Sequence, residues 1–412
     1  EWDVDNNIWI VGDDSEVYVI DAAHDSAPII EAVGDRKVKG ILLTHGHEDH
    51  FGALPFVLRD VNVPVYGSRL TLAFAKSKLD EHGLLKCVDI NEVSESSRFR
   101  LGPFDVGFVA VSHSVPDSLA IVLRTPLGTL VHSGDYKFDH TPIDGRITDV
   151  NSLARLGDEG VLVLLADSTN ADVEGSSGSE SQVGHAFHQI FAEAEGRVIM
   201  ASFASNIHRI QQAIHIAHLH GRVFAVSGRS MVKNVNISRN LGYLDVPEGA
   251  MIRLTEIDDY PPERLLILTT GSQGEPLSAL SRMAYDDHPQ VALEPGDTVV
   301  ISAKPVPGNE VSVMNTVNRL LKGGARVIYG PETGVHVSGH AAREDQRMLL
   351  NLVKPRFFLP AHGEYRHQYL QADLARQAGM PDDHVIILEN GDVLSITPDK
   401  AEVTDKVRAG MV

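Results

Sequence analysis

The stretch that decides the fold spans residues 44–50 and reads Thr44-His45-Gly46-His47-Glu48-Asp49-His50. It directly follows an apolar run that predicts a buried strand, Gly40-Ile41-Leu42-Leu43. Imidazole and carboxylate groups are the ligands that zinc and similar divalent metals prefer. We therefore expect His45 and His47 to converge on one metal ion from the loop at the end of that strand. Asp49 and His50 would turn toward a second ion, and the alternative is a solvated histidine-rich loop.

Three further segments place a candidate ligand just beyond an apolar run. These ligands are His113, Asp135 and His362. Each of them taken alone is more often a hydrogen-bonded structural residue. Together with the first loop they supply seven ligands, and Asp135 is suited to bridge two ions. Asp21 ends another apolar run, and we expect its carboxylate to orient a ligand imidazole.

The composition is that of an ordinary globular enzyme, with 43% hydrophobic and 22% charged residues in a chain of 412. A chain of this length is expected to form two or three domains. Its single cysteine, Cys87, excludes an internal disulfide and favours a reducing cytoplasm. No apolar run approaches the ~20 residues that span a membrane. No signal peptide is predicted at the N-terminus, which begins with Glu1 rather than methionine.

The net charge of −20 argues against a protein that coats nucleic acid through a basic surface. It does not exclude a nuclease, because two divalent ions and a few local lysines and arginines can attract phosphate to an acidic protein. The charge therefore lowers the expectation of nucleic-acid binding only modestly.

The residue patterns divide the chain into three segments, at 1–178, 179–330 and 331–412. In the first, short β-type runs alternate with loops, and a helix is predicted at 51–59. A Gly/Ser-rich stretch at 174–179 marks the boundary that follows. Strands and helices then alternate from 197 to 270, which predicts a parallel α/β domain. The last segment returns to histidines on loops, with strands predicted at 356–360 and 385–389.

Several motifs resemble those of a known enzyme family. The run from His45 to His50 matches the HxHxDH signature of the metallo-β-lactamase fold, and His113, Asp135 and His362 occur in that family's order. Three segments resemble motifs A, B and C of the β-CASP nucleases: Leu165-Ala166-Asp167-Ser168-Thr169-Asn170, His336-Val337-Ser338-Gly339-His340-Ala341 and Pro360-Ala361-His362-Gly363-Glu364-Tyr365-Arg366-His367. Segments 202–209, 226–231 and 270–276 resemble ribonuclease J in particular.

The resemblance implies an α/β fold, namely a metallo-β-lactamase αβ/βα sandwich with an inserted parallel α/β β-CASP domain. It implies two divalent ions, with zinc expected and manganese or magnesium as alternatives. One ion would be held by His45, His47, His113 and Asp135, and the other by Asp49, His50, Asp135 and His362. The implied activity is hydrolysis of RNA by a two-metal-activated hydroxide, which leaves a 5′-phosphate and a 3′-hydroxyl. His340 would be the general acid, and Asp49 and Asp167 would also be catalytic.

The implied substrate is single-stranded RNA with a 5′-monophosphate, cut by 5′-to-3′ exonuclease action, endonuclease action or both. A turn between a predicted strand and helix offers Phe203, Ser205 and Asn206, whose amides and hydroxyl form an anion site. A second phosphate site is expected at His336-Val337-Ser338-Gly339-His340, where glycine permits close approach of the backbone. Phe203 either stacks on a base or packs in the core. A cytoplasmic location is expected, and whether the protein forms a homo-oligomer stays an open question.

Two features depart from the ribonuclease J pattern. The opening Asn6-Asn7-Ile8-Trp9-Ile10-Val11 resembles a smaller hydrolase of the glyoxalase II type. Family members often carry a further C-terminal domain, and from this sequence we expect none after Val412. Three alternatives therefore stay open: a glyoxalase II or lactonase type of small-molecule hydrolase, an inert RNA-binding scaffold, and a hybrid chain whose first segment comes from another hydrolase. The inserted segment argues against the first, and the complete ligand set argues against the second.

Overall fold

The computed structural model describes residues 8–23 and 25–407, so Asn6 and Asn7 of the atypical opening lie outside it. Contacts between residues divide the chain into two units. Unit 1 draws on Glu1–Asp139, Arg146–Ser177 and Gly339–Val412, and unit 2 on His140–Gly145 and Gly178–Ser338. The three-segment division at 1–178, 179–330 and 331–412 stays a prediction.

The apolar run before His45 lies in the first sheet of unit 1. This sheet has the order β1-β2-β3-β4-β5. Its strands are β1 (Trp9–Gly12), β2 (Glu16–Ile20), β3 (Lys37–Leu42), β4 (Val65–Gly67) and β5 (Ile90–Glu92). Only the pair β1 and β2 is antiparallel; β2 to β5 run in parallel. The last three residues of β3 are buried, as expected for a strand that helices and a second sheet cover on its two faces.

The second sheet of unit 1 has the order β16-β10-β9-β8-β7-β6. Its strands are β6 (Arg98–Leu101), β7 (Phe104–Ala110), β8 (Leu119–Thr125), β9 (Gly128–His132), β10 (Val161–Asp167) and β16 (Phe357–Ala361). It faces the first sheet through one apolar cluster, in which Tyr18, Ile20 and Leu42 meet Phe108 and Ile121. Burying each such side chain contributes about 1.5–3 kcal/mol, which holds the two sheets together.

Helices cover the outer faces of these sheets. They are α1 (Ala27–Val33), α2 (Glu48–Phe51), α3 (Leu54–Asp60), α4 (Arg69–Glu81), α5 (Val150–Glu159), α11 (Arg343–Val353) and α12 (Tyr365–Gln377). The last three pack on the second sheet through a separate cluster that includes Leu153, Leu349 and Ala372. A hairpin of β17 (Asp392–Ile396) and β18 (Ala401–Lys406) completes the described part of unit 1.

Unit 2 is built on a parallel sheet of five strands, in the order β12-β13-β11-β14-β15. The strands are β11 (Val198–Ala201), β12 (Val223–Ser227), β13 (Leu265–Thr269), β14 (Thr298–Ile301) and β15 (Arg326–Ile328). Its helices are α6 (Ser181–Glu193), α7 (Ile207–Leu219), α8 (Arg229–Leu241), α9 (Ala279–Ala284) and α10 (Glu310–Lys322). Every residue of the first four strands is buried, which explains their continuous apolar runs.

Two element predictions are wrong. The helix expected at 51–59 is two helices, because Gly52 and Ala53 separate α2 from α3 and Pro55 starts the new helix. The strand expected at 385–389 is reduced to one bridge between Val385 and Phe358. There the side chains of Ile386 and Leu388 pack onto the apolar cluster of β10 and β16 instead of continuing a ladder.

None of the helices in the described residues is long and apolar enough to cross a membrane.

Candidate metal centre

The candidate ligands lie together because their strands point the same way. In the second sheet β7, β9, β10 and β16 run in one direction, so their carboxyl ends share an edge. His113 follows β7, Asp135 follows β9, Asp167 ends β10 and His362 follows β16. In the first sheet the parallel strands β2 and β3 end next to Asp21 and the 44–50 loop.

Among residues 8–23 and 25–407, three groups of side chains could each hold a metal ion, since the ligand atoms of each group lie within 4.8 Å of one another. These groups are His45, His47, His113 and Asp135; Asp49, His50 and His362; and Asp135, Asp167 and His340. The structure thus brings together all seven predicted ligands. The first two groups are the two ligand sets expected from the sequence, except that Asp135 is grouped with only the first of them.

Asp135 nevertheless reaches toward both sets through one oxygen. Its Oδ2 lies 3.5 Å from His45 Nε2 and 3.7 Å from His113 Nε2 on one side. The same atom lies 3.3 Å from His50 Nε2 and 3.7 Å from His362 Nε2 on the other. One carboxylate oxygen therefore faces the candidate ligands of both groups.

Hydrogen bonds on the outer ring nitrogens decide which nitrogen of each histidine can bind metal. His50 Nδ1 donates to Asp21 Oδ2 at 2.8 Å, and His113 Nδ1 donates to the Gly339 carbonyl at 2.7 Å. A carboxylate or carbonyl only accepts, so Nδ1 carries a hydrogen in both rings and Nε2 is the nitrogen that faces the other candidate ligands. Asp21 thus accepts a hydrogen bond from the ring of a candidate ligand.

His362 is held in the same way through a hydroxyl. Thr169 Oγ1 donates to Asp167 Oδ1 at 2.7 Å, so it accepts from His362 Nδ1 at 2.9 Å. The inward nitrogen of His362 is again Nε2. His362 has a φ of 55°, in the left-handed region that is costly for a residue with a side chain. The backbone strain and the hydroxyl together aim this ring at Asp135.

The remaining two histidines complete the pattern. His45 Nδ1 lies 3.0 Å from Thr44 Oγ1, which itself donates to Asp21 Oδ2 at 2.8 Å. His47 is reversed: its Nε2 lies 3.2 Å from Ser114 Oγ, and its inward Nδ1 lies 3.1 Å from His45 Nε2. Sequence reasoning missed Thr44, Ser114 and Thr169, although Thr44 and Thr169 stand inside the quoted motifs.

The inward atoms fit a divalent cation. His50 Nε2 and His362 Nε2 are buried and make no hydrogen bond with the described residues. The inward nitrogens of His45 and His47 face each other at 3.1 Å, an arrangement that needs a proton or a cation between them. Borderline metals such as zinc bind neutral imidazole and carboxylate, so the residues present fit a divalent metal site.

The electrostatics of the site also suit metal binding. Burial lowers the pKa of His47 to about 4 and lowers the pKa of His45 well below its usual value. Burial opposes charge on His362 too, but the carboxylates of Asp135 and Asp49 outweigh it and raise the pKa of His362 to about 9. The His45 and His47 rings are therefore neutral at pH 7, whereas a metal ion must displace a proton from His362 before that ring can bind it.

Asp167 and His340 form a pair beside these ligands. His340 Nδ1 donates to Asp167 Oδ2 at 2.8 Å, and Asp167 is buried. The His340 side chain is 22% exposed to solvent. A buried carboxylate on one ring nitrogen leaves the other as the nitrogen that can exchange a proton with a substrate.

The predicted substrate residues fall in both units. Phe203, Ser205 and Asn206 lie at the start of α7 in unit 2, where Asn206 Oδ1 caps the helix by accepting from the Arg209 amide at 3.0 Å. Phe203 is 39% exposed, which disfavours core packing for its ring. His336, Val337 and Ser338 also belong to unit 2, whereas Gly339 and His340 belong to unit 1.

Gly339 is required for a reason that the sequence did not suggest. A Cβ at this position would lie 2.7 Å from His113 Cε1 and 2.8 Å from His113 Nδ1. The His113 ring is buried and holds the Gly339 carbonyl, so it has no room to retreat. The glycine therefore lets the backbone lie against a ligand histidine.

Replacing Gly339 with alanine should displace the His113 ring. The rate of the reaction catalysed at this site should then fall about 100-fold, because a shift of about 1 Å at a reacting centre has effects of this size. Metal content and steady-state rates of the purified variant would measure the effect. Gly107→Ala is the matched control, since its Cβ would meet only ordinary contacts at 3.4 Å or more. Equal rates for the two variants would contradict the role given to Gly339.

Models of three known protein families match parts of this chain. The model of the metallo-beta-lactamase superfamily matches residues 2–175. The model of the ribonuclease J beta-CASP domain matches residues 195–320, and that of the Zn-dependent metallo-hydrolase RNA specificity domain matches residues 325–388. The predicted fold class, a metallo-β-lactamase sandwich with an inserted β-CASP domain, is confirmed by these matches.

Curated relatives narrow the assignment. Ribonuclease J of Synechocystis is 44% identical over 91% of this chain and 59% of its own length, and that of Helicobacter pylori is 44% identical over 91% and 54%. Ribonuclease J2 of Bacillus subtilis is 37% identical over 100% of this chain and 76% of its own length. The chain belongs to the ribonuclease J family, although it spans little more than half the length of the first two relatives.

A solved structure supports the fold alone. It is the crystal structure of a protein of unknown function from Enterococcus faecalis, which aligns with a TM-score of 0.63 over 96% of both chains at 13% identity. The alignment with the Bacillus relative covers the whole chain, including its atypical opening.

Proposed function

We propose that this protein is a metal-dependent ribonuclease that hydrolyses phosphodiester bonds in RNA. The observation that carries the proposal is the placement of Asp135 Oδ2 between two sets of inward imidazole nitrogens, at 3.3–3.7 Å from four of them. Two ions held in this way would be zinc in the first place, with manganese or magnesium as alternatives. Membership of the ribonuclease J family supports RNA as the substrate.

The proposed ligand sets are those expected from the sequence. His45, His47, His113 and Asp135 would hold one ion, and Asp49, His50, Asp135 and His362 the other. When bound, such a pair supplies a strong nucleophile from water at neutral pH and stabilises charge on the phosphate oxygens. Hydrogen bonds to the outer ring nitrogens would keep these rings aligned. Asp21 accepts from His50, the Gly339 carbonyl from His113 and the Thr169 hydroxyl from His362. The Thr44 hydroxyl donates to Asp21.

His340 is the proposed general acid. The bond that breaks joins phosphorus to the 3′-oxygen of the preceding nucleotide, and that oxygen needs a proton to leave as a hydroxyl. Asp167 holds His340 Nδ1 at 2.8 Å, so the proton would be given from Nε2. The products are a 5′-phosphate and a 3′-hydroxyl. Asp49 completes the catalytic set as a metal ligand.

Substrate binding is proposed for two backbone turns and one aromatic ring. The amides of 336–339 and the Ser205 hydroxyl would bind phosphates, and the exposed Phe203 ring would stack on a base. The proposed substrate is single-stranded RNA with a 5′-monophosphate, degraded from its 5′ end, cut internally or both. A cytoplasmic location stays a prediction, and the oligomeric state stays open.

Turnover of a 5′-monophosphorylated, 3′-labelled RNA by the metal-loaded protein tests the proposal. We expect cleavage by the unchanged protein and none by the His45→Ala/Asp49→Ala double variant, because each substitution removes a ligand from a different set. Release of mononucleotides would indicate exonuclease action, and release of oligonucleotides endonuclease action.

The matched control is His218→Ala/Asp259→Ala, which removes the same two residue types from exposed positions in unit 2. A thioester substrate is assayed beside the RNA. Thioester hydrolysis without RNA cleavage would contradict the proposal and leave the glyoxalase II type of hydrolase in its place.

A further inference from the structure

Arg209 has an environment that the proposed mechanism does not use. It lies on α7 in unit 2, and its side chain is fully buried. Its Nε and Nη2 both donate to the carboxylate of Glu180, with Nη2 at 2.9 Å from Oε2. Glu180 is itself 4% exposed. A buried pair of charges costs desolvation, so its hydrogen bonds must repay that cost.

The remaining donors of Arg209 hold the backbone of the segment that precedes His340. Nη1 donates to the Val335 carbonyl at 3.2 Å, and Nη2 donates to the Val337 carbonyl at 3.1 Å. Ser302 reinforces this contact: its Oγ accepts from Nη1 at 2.7 Å and donates to the Val335 carbonyl at 2.5 Å. One side chain therefore fixes two alternate peptide groups in the proposed phosphate-binding turn.

Fixing those carbonyls also fixes two amides. The peptide group is planar and trans, so its N–H points opposite to its C=O. With the Val335 and Val337 carbonyls directed at Arg209, the amides of His336 and Ser338 must both point away from it, toward the same side. An anion on that side would meet both N–H groups.

We propose that Arg209, held by Glu180, is a positioning residue that aims the His336 and Ser338 amides at an RNA phosphate. This inference rests on the proposed function for the identity of the anion, but the aiming of the amides does not depend on it. The rigid fork of arginine is essential, since lysine keeps the charge but cannot reach Glu180 and both carbonyls from fixed directions.

The test compares Arg209→Lys with a matched control, Arg197→Lys. Arg197 is also a buried arginine of unit 2 with a forked bond to a carboxylate, at 2.8 and 2.6 Å from the two oxygens of Asp297. Its other contacts are with Glu294 and the Ala292 carbonyl, so it reports the general effect of losing a buried fork.

The first measurement is hydrogen exchange of the 335–338 amides in the metal-loaded protein without RNA. We expect exchange at least about tenfold faster in Arg209→Lys than in Arg197→Lys, because only the former frees this backbone locally. The second measurement is RNA hydrolysis, where Arg209→Lys should raise KM about tenfold with a much smaller change in kcat. Metal content should stay that of the unchanged protein.

Equal exchange and equal KM for the two lysine variants would overturn the proposal, as would loss of metal from Arg209→Lys alone. If Arg209→Lys does not fold, Glu180→Gln replaces it. This change keeps the size of the Glu180 side chain and weakens one of its two hydrogen bonds with Arg209. If the unchanged protein cleaves no RNA, the proposed function fails, while the exchange rates still decide whether Arg209 aims the amides.

Discussion

Replacing Asp135 with asparagine is expected to lower RNA hydrolysis by on the order of 10³-fold or more, the largest effect of any single change. The substitution keeps the size of the side chain and removes its charge. One oxygen of Asp135 faces inward nitrogens of His45, His50, His113 and His362 within 3.7 Å. A neutral amide cannot balance two divalent ions from that position, so metal affinity should fall together with the rate.

Metal content by mass spectrometry and single-turnover rates with labelled RNA would measure both effects. Asp105→Asn is the matched control, because Asp105 is an exposed aspartate on β7 of the same unit. A variant at Asp135 that keeps two ions and its full rate would contradict the bridging role. Loss of one ion with retention of the other would identify which ligand set depends on the shared carboxylate.

His340→Asn is expected to lower the rate on RNA by about 10²–10⁴-fold while leaving metal content unchanged, because His340 is the proposed general acid and belongs to neither of the two proposed ligand sets. The asparagine amide can occupy the place of Nδ1 and keep the 2.8 Å hydrogen bond to Asp167. The change therefore removes the proton donor at Nε2 with little disturbance of its neighbour.

A substrate with a better leaving group distinguishes this role from a structural one. The leaving group of a p-nitrophenyl phosphodiester is p-nitrophenolate, a stable anion that needs no proton to depart. We therefore expect His340→Asn to hydrolyse this substrate nearly as fast as the unchanged protein does. An equal loss on both substrates would contradict general acid catalysis by His340. Asp135→Asn should lose both activities, since the metal centre serves either substrate.

The fold class could be predicted because the motifs that carry the resemblance to the metallo-β-lactamase and β-CASP families are local. The 44–50 stretch places four candidate ligand side chains close together in the sequence, and the apolar run before it marks the buried strand β3. The β–α alternation of 197–270 likewise predicts the parallel sheet of unit 2, since continuous apolar runs are typical of strands covered on both faces. Local patterns failed at 385–389, where apolar residues pack against a sheet without pairing with it.

The roles of single ring nitrogens depend on contacts between distant residues. His113 donates to a carbonyl 226 residues away, and His362 donates to a hydroxyl 193 residues away. No sequence pattern relates such positions, because a backbone carbonyl or a threonine hydroxyl acquires its partner only when the strands are aligned in a sheet.

The amino-acid sequence alone therefore predicted the candidate ligands, their order and the fold class, because metal-binding residue types and the motifs of a known family are recognisable before the chain is folded. Only the tertiary structure decided that Asp135 lies between the two ligand sets, that Gly339 must lack a side chain and that Arg209 holds the 335–337 backbone. These are properties of distance and direction, which exist only once the carboxyl ends of the strands share one edge and the buried polar groups have found partners.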